Sequence, residues 1–223
     1  MLPPLIRGEH RSCFGVTEPD AGLDTTHIST FARRREDGGY VVNGRKVWTS
    51  TAQRADHILL VTRTTPIEDC ERPTDGMSVF YTDFDRSKID VHEIAKMGRK
   101  AVDSNAIFID GLEVPEEDRI GAEGEGFLLH GLNAERIIVA AAAVGFGMYV
   151  LEKAAAYARE RVVFGRPIGQ NQAIQHPLAS VWMRLQAAEL MTYKAATLYD
   201  QGKPCGLEAN TARNLAGSAA YEA

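Results

Sequence analysis

The chain has 223 residues, of which 44% are hydrophobic and 25% charged, a composition that supports one large or two small globular domains. Its formal net charge of −5 argues against a nucleic-acid binder that relies on positive charge, and no run approaches the roughly 18 apolar residues of a membrane span. Three scattered cysteines and six histidines without ligand spacing predict neither a disulfide framework nor a metal site, and they indicate reduced thiols in a cytosolic setting.

Short apolar or alternating segments predict β-structure in the first half of the chain. The expected strands cover residues 13–17, 28–32, 40–42, 47–49, 57–62, 77–81, 89–94 and 106–109. Turn residues separate them, among them Asn43-Gly44, which predicts a tight hairpin turn, and Asp110-Gly111. Because the strands follow one another without intervening helices, we expect an antiparallel β-barrel or β-sandwich.

The pattern changes after the glycine-rich segment 121–126, where helix-forming sequence begins. Helices are predicted over residues 127–161 and 172–200 and from about Leu207 onward, with the regular part of the second expected to begin near Pro177. The charge changes too: residues 1–118 carry 15 basic and 21 acidic side chains, whereas residues 119–223 carry 10 and 9. We therefore predict an α+β protein with a β-domain over residues 1–120 and an incomplete up-down α-helical bundle over residues 121–223, a fragment whose apolar helix faces lack partners.

Glu135 is the most informative single residue of the predicted first long helix. At helical spacing it shares a stripe with Leu128, Leu132, Val139, Ala142 and Phe146. Such neighbours would desolvate the carboxylate and favour its neutral form, which suits a general base. The alternative is an ordinary carboxylate in an early helix turn, where it complements the helix dipole.

Three further segments suit a cofactor, each with a purely structural alternative. The glycine-containing loop after Phe14 offers N–H groups and hydroxyls to a phosphate or a polar ring edge, or it is an ordinary strand exit. The segment Trp48-Thr49-Ser50 suits a stacking wall or a β-core, and Arg161 with Phe164 suits a ligand contact or a helix cap. Gly145-Phe146-Gly147 lies inside a predicted helix and indicates close helix packing, not a dinucleotide fingerprint.

Several longer motifs occur in order along the chain: FGVTEPDAG (14–22), VNGRKVWTS (42–50), KMGR (96–99), VP (114–115), GEGF (124–127), ER (135–136), RVVFGRPI (161–168) and QAI (172–174). In this order and spacing, over essentially the whole chain, they resemble the acyl-CoA dehydrogenase family of flavoenzymes. That family has an N-terminal helical domain, a middle β-domain and a C-terminal helical bundle. The resemblance implies that this chain holds the middle domain and the first part of the bundle, without the N-terminal helical domain.

The resemblance also implies roles for individual residues. Glu135-Arg136 matches members, the long-chain and isovaleryl types among them, whose catalytic base lies on the first bundle helix directly before an arginine. The residues expected to bind an FAD cofactor are Phe14, Val16, Thr17, Gly22, Leu23, Trp48, Thr49, Ser50, Arg161, Phe164, Asn171 and Gln172, the last four reaching the FAD of a neighbouring subunit. Leu23 stands where many members have serine, and Asn171 where some have histidine. Substrate contacts are expected from Leu23, Asn133 and Arg136.

The activity implied by the resemblance is the FAD-dependent α,β-desaturation of an acyl-CoA thioester, an oxidoreductase step of fatty acid β-oxidation in lipid metabolism. Electrons would pass to an electron-transferring flavoprotein, and the protein would be a homodimer or homotetramer. It would lie in the cytoplasm, or in the mitochondrial matrix of a eukaryote, without binding nucleic acid or spanning a membrane. The alternatives are an acyl-CoA oxidase or flavin monooxygenase relative and a truncated, non-catalytic binding or assembly module.

Overall fold

Eight strands form the first half of the chain in the computed structural model, which describes residues 2–36, 38–126 and 129–223. They are β1 Ser12–Gly15, β2 Phe31–Arg34, β3 Tyr40–Thr49, β4 His57–Arg63, β5 Met77–Asp83, β6 Ile89–Glu93, β7 Asn105–Val114 and β8 Arg119–Ile120. A short helix, α1 (Leu2–Ile6), precedes them, and 3₁₀ turns lie at Thr25–His27, Ala52–Arg54, Ile67–Asp69 and Glu116–Asp118. Each predicted segment lies in or overlaps a strand, but 40–42 and 47–49 belong to the single strand β3, β2 begins three residues later than expected, and β8 was not predicted.

The eight strands form one sheet in the order β6-β7-β3-β2-β4-β5-β8, with β1 also paired to β4. Most neighbours are antiparallel, but β1 pairs with β4 in parallel from Ser12 and His57 to Gly15 and Leu60. This parallel pair is possible because the long segment between β1 and β4 allows the chain to return in the same direction. The α+β class and the sandwich-like β-domain are confirmed, whereas the sheet is mixed, and the described strands do not close into a barrel.

The predicted hairpin turn at Asn43-Gly44 is wrong, because β3 runs unbroken from Tyr40 to Thr49. The pairing of β3 with β7 shifts there: Val42 pairs with Leu112, whereas Gly44 pairs with Ile109. One residue of β3 therefore faces two residues of β7, Asp110 and Gly111, in a β-bulge. The Gly111 N–H donates to Asn43 Oδ1 at 2.8 Å. Both turn-like dipeptides thus meet each other inside the sheet.

The core of the sheet unit is built mainly from the inward-facing residues of β3, β4, β5 and β7. Fully buried members include Tyr40, Ile58, Leu60, Phe80 and Ile107. Tyr40 and Phe80 pack edge to face with ring centroids 4.8 Å apart. Burial of such side chains stabilises the sheet by roughly 1.5–3 kcal/mol each.

Three long helices form the second half: α2 Leu129–Glu160, α3 Gln172–Asp200 and α4 Gly206–Glu222. A two-stranded ribbon of β9 (Val162–Val163) and β10 (Arg166–Pro167), followed by a 3₁₀ turn at Ile168–Gln170, joins α2 to α3. The expectation that regular helix begins near Pro177 is wrong, since Pro177 lies inside α3. The first turn is secured by Asn171 O, which accepts from the N–H groups of Ile174 and Gln175. The helix therefore tolerates the loss of the one backbone hydrogen bond that Pro177 cannot donate.

The three helices pack on one another through small side chains. Ala140, Val144, Ala188, Ala212 and Ala216 form one buried cluster. A Cβ at Gly147 would lie 3.2 Å from Ala220 Cα and 2.6 Å from Leu185 Cδ2, so close packing at Gly147 is confirmed. Gly145 has no atom within 4 Å of such a position, and there the packing prediction is wrong.

The boundary between the two compact units, Met1–Phe127 and Leu128–Ala223, falls later than the predicted one after residue 120. Residues 121–126 still bond to the sheet: Gly124 N donates to Ser78 Oγ at 2.9 Å, and Gly126 N donates to Met77 O at 2.6 Å. The glycine-rich segment therefore belongs with the strands.

One helix in the described part of the chain, Leu132–Glu160, is long and apolar enough to cross a membrane, with a window of mean hydropathy 1.6. Its length and composition alone are weak evidence for a span, because the core helix of a soluble bundle meets the same criterion.

Candidate functional site

Two exposed aromatic rings mark one region of the sheet unit. Phe14 on β1 is 40% exposed and Trp48 on β3 is 59% exposed, although both strand neighbours of Phe14 are buried and those of Trp48 are half-buried or buried. The Val47 N–H donates to Thr17 O at 2.9 Å and so joins the segment after Phe14 to the strand that carries Trp48. We call this region, Phe14–Thr17 with Val47–Ser50, the aromatic edge.

The backbone at Trp48 explains why its ring points outward. Lys46 pairs with Ile107 and Thr49 with Asn105, so two residues of β3 face one residue of β7 in a second bulge. Trp48 has φ +62°, in the left-handed region that costs an L-residue roughly 1–2 kcal/mol. Strain of this kind persists where the surroundings hold it, and it concentrates at functional sites.

The hydroxyls of the aromatic edge are differently placed. Ser50 is exposed and Thr17 half-buried, and neither hydroxyl has a hydrogen-bond partner among the described residues. Thr49 is fully buried, and its hydroxyl also has no partner in the described part of the chain. Thr17 and Ser50 are therefore free to bond a ligand, whereas Thr49 faces away from the exposed side.

The predicted residues Gly22 and Leu23 lie in the exposed loop after Ala21. Asp24 caps the following 3₁₀ turn by accepting from Thr26 N at 3.1 Å. Buried Arg63 holds the same turn by donating to Thr26 O at 2.6 Å. The loop is thus anchored at its end while the Leu23 side chain remains in solvent.

A buried ion pair lies directly behind the aromatic edge. Lys46 Nζ donates to Glu18 Oε1 and to Val16 O, both at 2.9 Å, and both side chains are almost fully buried. Burial alone would raise the pKa of Glu18, but the charge of Lys46 and hydrogen bonds from Thr30, Lys46 and Ser29 lower it to about 2. Burial lowers the pKa of Lys46 to about 8, against the opposing effect of Glu18.

A second polar network fixes the chain after Trp48. Asn105 Nδ2 donates to Thr49 O at 2.9 Å, and Gln53 Nε2 donates to Asn105 Oδ1 at 2.9 Å. Asp103 accepts from Asn105 Nδ2 and from the Thr51 N–H. Sequence reasoning missed both networks. The residues of each lie tens of positions apart, so only the strand register brings them together.

In the helical unit, Glu135 lies on α2 with its side chain exposed. Leu132 and Val139 on its stripe are half-buried and Phe146 is exposed, while Leu128 lies outside the described residues. The expected desolvation of Glu135 is therefore not produced within this unit. Arg136 donates to buried Asn133 Oδ1 at 3.0 Å, so the two predicted substrate residues are bonded to each other.

The other predicted cofactor residues lie in the ribbon between α2 and α3 or directly beside it. Phe164 (φ +52°) and Gly165 (φ +76°) form the two-residue turn between β9 and β10, and the Phe164 ring is 100% exposed. Arg166 Nη2 donates to Asn171 Oδ1 at 2.6 Å, which shows that Asn171 is engaged within the ribbon. Arg161 and Gln172 have exposed side chains.

These features define a class: a two-unit protein whose β-domain exposes two aromatic rings and whose helical unit carries an exposed carboxylate among apolar residues. Residues 13–112 match the family model of the acyl-CoA dehydrogenase middle domain, and residues 122–223 match that of the acyl-CoA dehydrogenase C-terminal domain. The chain belongs to the acyl-CoA dehydrogenase family.

Individual relatives agree along the whole chain. An acyl-CoA dehydrogenase of Bacillus subtilis is 35% identical over 100% of this chain and 58% of its own length. Among solved structures, a glutaryl-coenzyme A dehydrogenase in its glutaryl-CoA complex is 33% identical with a TM-score of 0.91, covering 99% of this chain and 56% of its own. The FAD complex of PigA is 28% identical with a TM-score of 0.90, covering 98% of this chain and 57% of its own. The chain thus spans somewhat more than half the length of these relatives.

Proposed function

We propose that the protein is an FAD-dependent acyl-CoA dehydrogenase to which this chain contributes the flavin-ring wall and the catalytic base. The observation that carries the proposal is the aromatic edge, where Phe14 and Trp48 are exposed although the residues beside them are buried or half-buried. Family membership and the two ligand complexes among its structural relatives support it.

The residues of the aromatic edge fit the flavin ring. Flat aromatic side chains stack on a planar ring system, and the uncommitted hydroxyls of Thr17 and Ser50 suit its polar edge. The loop of Gly22 and Leu23 would contribute further contacts, and buried Thr49 would contribute through its backbone or by packing. When bound, FAD supplies the hydride acceptor, which no protein side chain can provide.

We assign the protein's own chemistry to Glu135. The carboxylate would accept the α-proton of the acyl thioester, and with a bound hydride acceptor for the β-hydrogen the result would be an α,β double bond. Since the α-proton is weakly acidic, the reaction also needs hydrogen bonds to the thioester oxygen, where negative charge develops. Asn133 and Arg136, together with Leu23, would orient the substrate, and its acyl chain would exclude water from Glu135.

The remaining assignments follow from the same proposal. The substrate would be an acyl-CoA, the electron acceptor an electron-transferring flavoprotein, and the setting fatty acid β-oxidation in the cytoplasm or the mitochondrial matrix. The exposed residues Arg161, Phe164 and Gln172 at the connection between α2 and α3, with Asn171 beside them, would contact the FAD of a second subunit in a homodimer or homotetramer.

The proposal is tested on the protein as expressed from its own gene. We expect it to bind FAD and to lose the visible absorption of the oxidised flavin on anaerobic mixing with an acyl-CoA. Fast reoxidation of the reduced protein by O₂ would indicate the oxidase alternative. Failure to bind FAD would contradict the proposal and favour the non-catalytic module.

Phe164 offers a test in which stability and function move in opposite directions. Replacing Phe164 by glycine removes a fully exposed ring from a position with φ +52° and should stabilise the helical unit by about 1 kcal/mol. The same change should weaken FAD retention by the assembled protein. Thermal unfolding and flavin content after dialysis measure the two effects.

The matched variant Phe164→Ala loses the same ring but keeps the backbone strain. It should lose FAD as Phe164→Gly does without becoming more stable than the parent. Unchanged flavin content in both variants would show that the ring does not reach a cofactor.

A further inference from the structure

We infer that the buried pair Lys46–Glu18 is a positioning element that holds the two halves of the aromatic edge in a fixed position relative to each other. This inference rests on the proposed function of that edge. The two halves are the segment Phe14–Thr17 and the strand end Val47–Ser50. Neither residue of the pair reaches the exposed side, so the role acts through the backbone of the residues beside them.

Lys46 bonds directly to the segment that carries Phe14. Its stem passes beside Gly15, where a Cβ would lie 3.4 Å from Lys46 Cγ, and its Nζ donates to Val16 O at 2.9 Å. Lys46 also lies two residues before Trp48 on β3. One side chain therefore joins the residue after Gly15 to the strand end that presents the indole.

Glu18 anchors this lysine to the rest of the sheet unit. Besides Lys46, its carboxylate accepts from Ser29 N and Ser29 Oγ, both at 2.7 Å, and from Thr30 N at 2.9 Å. With four donors and almost no solvent exposure, the carboxylate holds the Lys46 ammonium in a single place. Val47 follows Lys46, and Thr17 lies between Val16 and Glu18. The bonds of the ion pair therefore fix both ends of the hydrogen bond from Val47 N–H to Thr17 O.

A buried ion pair is a poor way to obtain stability alone, because an apolar pair of similar volume is often as stable or more so. The pair adds a directional contact, because the Lys46 ammonium donates to Val16 O and an apolar side chain cannot hold a backbone carbonyl in this way. Trp48 needs such constraint, since its backbone has φ +62° and is fixed on the other side by Asn105.

The chain provides a matched control in a neighbouring ion pair. Arg45 and Asp20 join the same two segments, one residue before Lys46 and two after Glu18, but both side chains are solvent-exposed. Solvent-exposed pairs contribute little and fix little geometry. If loss of any ion pair between these segments weakened FAD binding, removal of either pair would do so. If the buried pair positions the aromatic edge, only its removal would weaken FAD binding.

The experiment compares Lys46→Met/Glu18→Gln with Arg45→Met/Asp20→Asn in the FAD-containing protein. The double change at the buried pair leaves no unpaired buried charge, and Lys46→Met alone serves as a second variant. We expect the buried-pair variant to remain folded, with a lower melting temperature because the new amide nitrogen faces a backbone N–H of Ser29 or Thr30 that the carboxylate accepted from. It should bind FAD at least 10-fold more weakly and show altered visible circular dichroism of the flavin. Amide exchange at Val47 should accelerate at least 10-fold. The surface-pair variant should match the parent in all of these.

Two outcomes would overturn the inference: unchanged Val47 exchange in the buried-pair variant, or equal effects of both pairs on FAD binding. If the parent protein binds no FAD, the proposed function fails. Val47 exchange then still decides whether the pair holds the two segments together, because that measurement needs no cofactor.

Discussion

Replacing Glu135 by glutamine in the protein as expressed from its own gene should leave FAD bound and lower the rate of flavin reduction by acyl-CoA about 10²–10⁴-fold. A carboxamide has nearly the same volume as the carboxylate but cannot accept the α-proton. Because Glu135 is exposed on α2 and has no hydrogen-bond partner among the described residues, the fold should tolerate the change. Stopped-flow absorbance under anaerobic conditions measures the reduction rate, and the visible spectrum measures bound flavin.

Glu160→Gln is the matched control, since Glu160 is an exposed glutamate at the end of the same helix. It should reduce at the parent rate. If Glu135→Gln also reduces at the parent rate, the catalytic base lies elsewhere in the protein, and Glu135 is the ordinary surface carboxylate of the alternative reading.

Gly44→Ala should destabilise the sheet unit by about 2–5 kcal/mol, the combined cost of backbone strain and overpacking. Gly44 has φ +154°, and an added Cβ would lie 2.6 Å from Thr30 Cα. Thr30 cannot move away cheaply, because its N–H donates to Glu18 and its carbonyl accepts from Arg63 N at 2.8 Å. Urea unfolding followed by circular dichroism measures the loss.

The same substitution at Gly98 provides the comparison. A Cβ there meets no atom within 4 Å, and the backbone has no positive φ, so the expected change lies within about 0.5 kcal/mol. A loss at Gly44 no larger than that at Gly98 would show that β2 moves freely relative to β3.

The helices were predictable from the sequence because their signal is local. The predicted range 172–200 coincides with α3, and α4 begins at Gly206, one residue before the expected start. Long segments rich in helix-forming residues and bounded by Gly and Pro carry the information for a helix within themselves. The expected helix start near Pro177 is wrong because a proline in the second turn of a helix has the same local signal as one in the first turn.

The sheet was predictable only in part, because glycine dipeptides have two uses. Asn43-Gly44 and Asp110-Gly111 have the composition of tight turns, yet they lie opposite each other in one bulge. A positive φ and a missing side chain serve both purposes. Which use applies depends on a partner strand more than 60 residues away, and a single sequence does not contain that register.

The candidate site was also predictable only in part: its exposed residues were identified from motifs, but the contacts that support them were not. The motifs identified Phe14, Trp48 and Glu135 as residues of interest, and these are exposed in the structure. The buried residues that hold the edge, Lys46 and Glu18, lie inside those motifs but are 28 positions apart. Their partnership follows from three-dimensional packing, so the sequence alone offered no reason to connect them.

The two bulges of β3 and β7 compensate each other. The first places an extra residue on β7 and the second an extra residue on β3, so from Val42 to Thr49 and from Leu112 to Asn105 both strands advance by seven residues. Loss of one codon at either bulge would turn every later side chain of that strand to the opposite face of the sheet. Insertions and deletions in this part of the gene should therefore survive only in matched pairs, and a lineage that lost both bulges together would keep the sheet but lose the outward-facing indole.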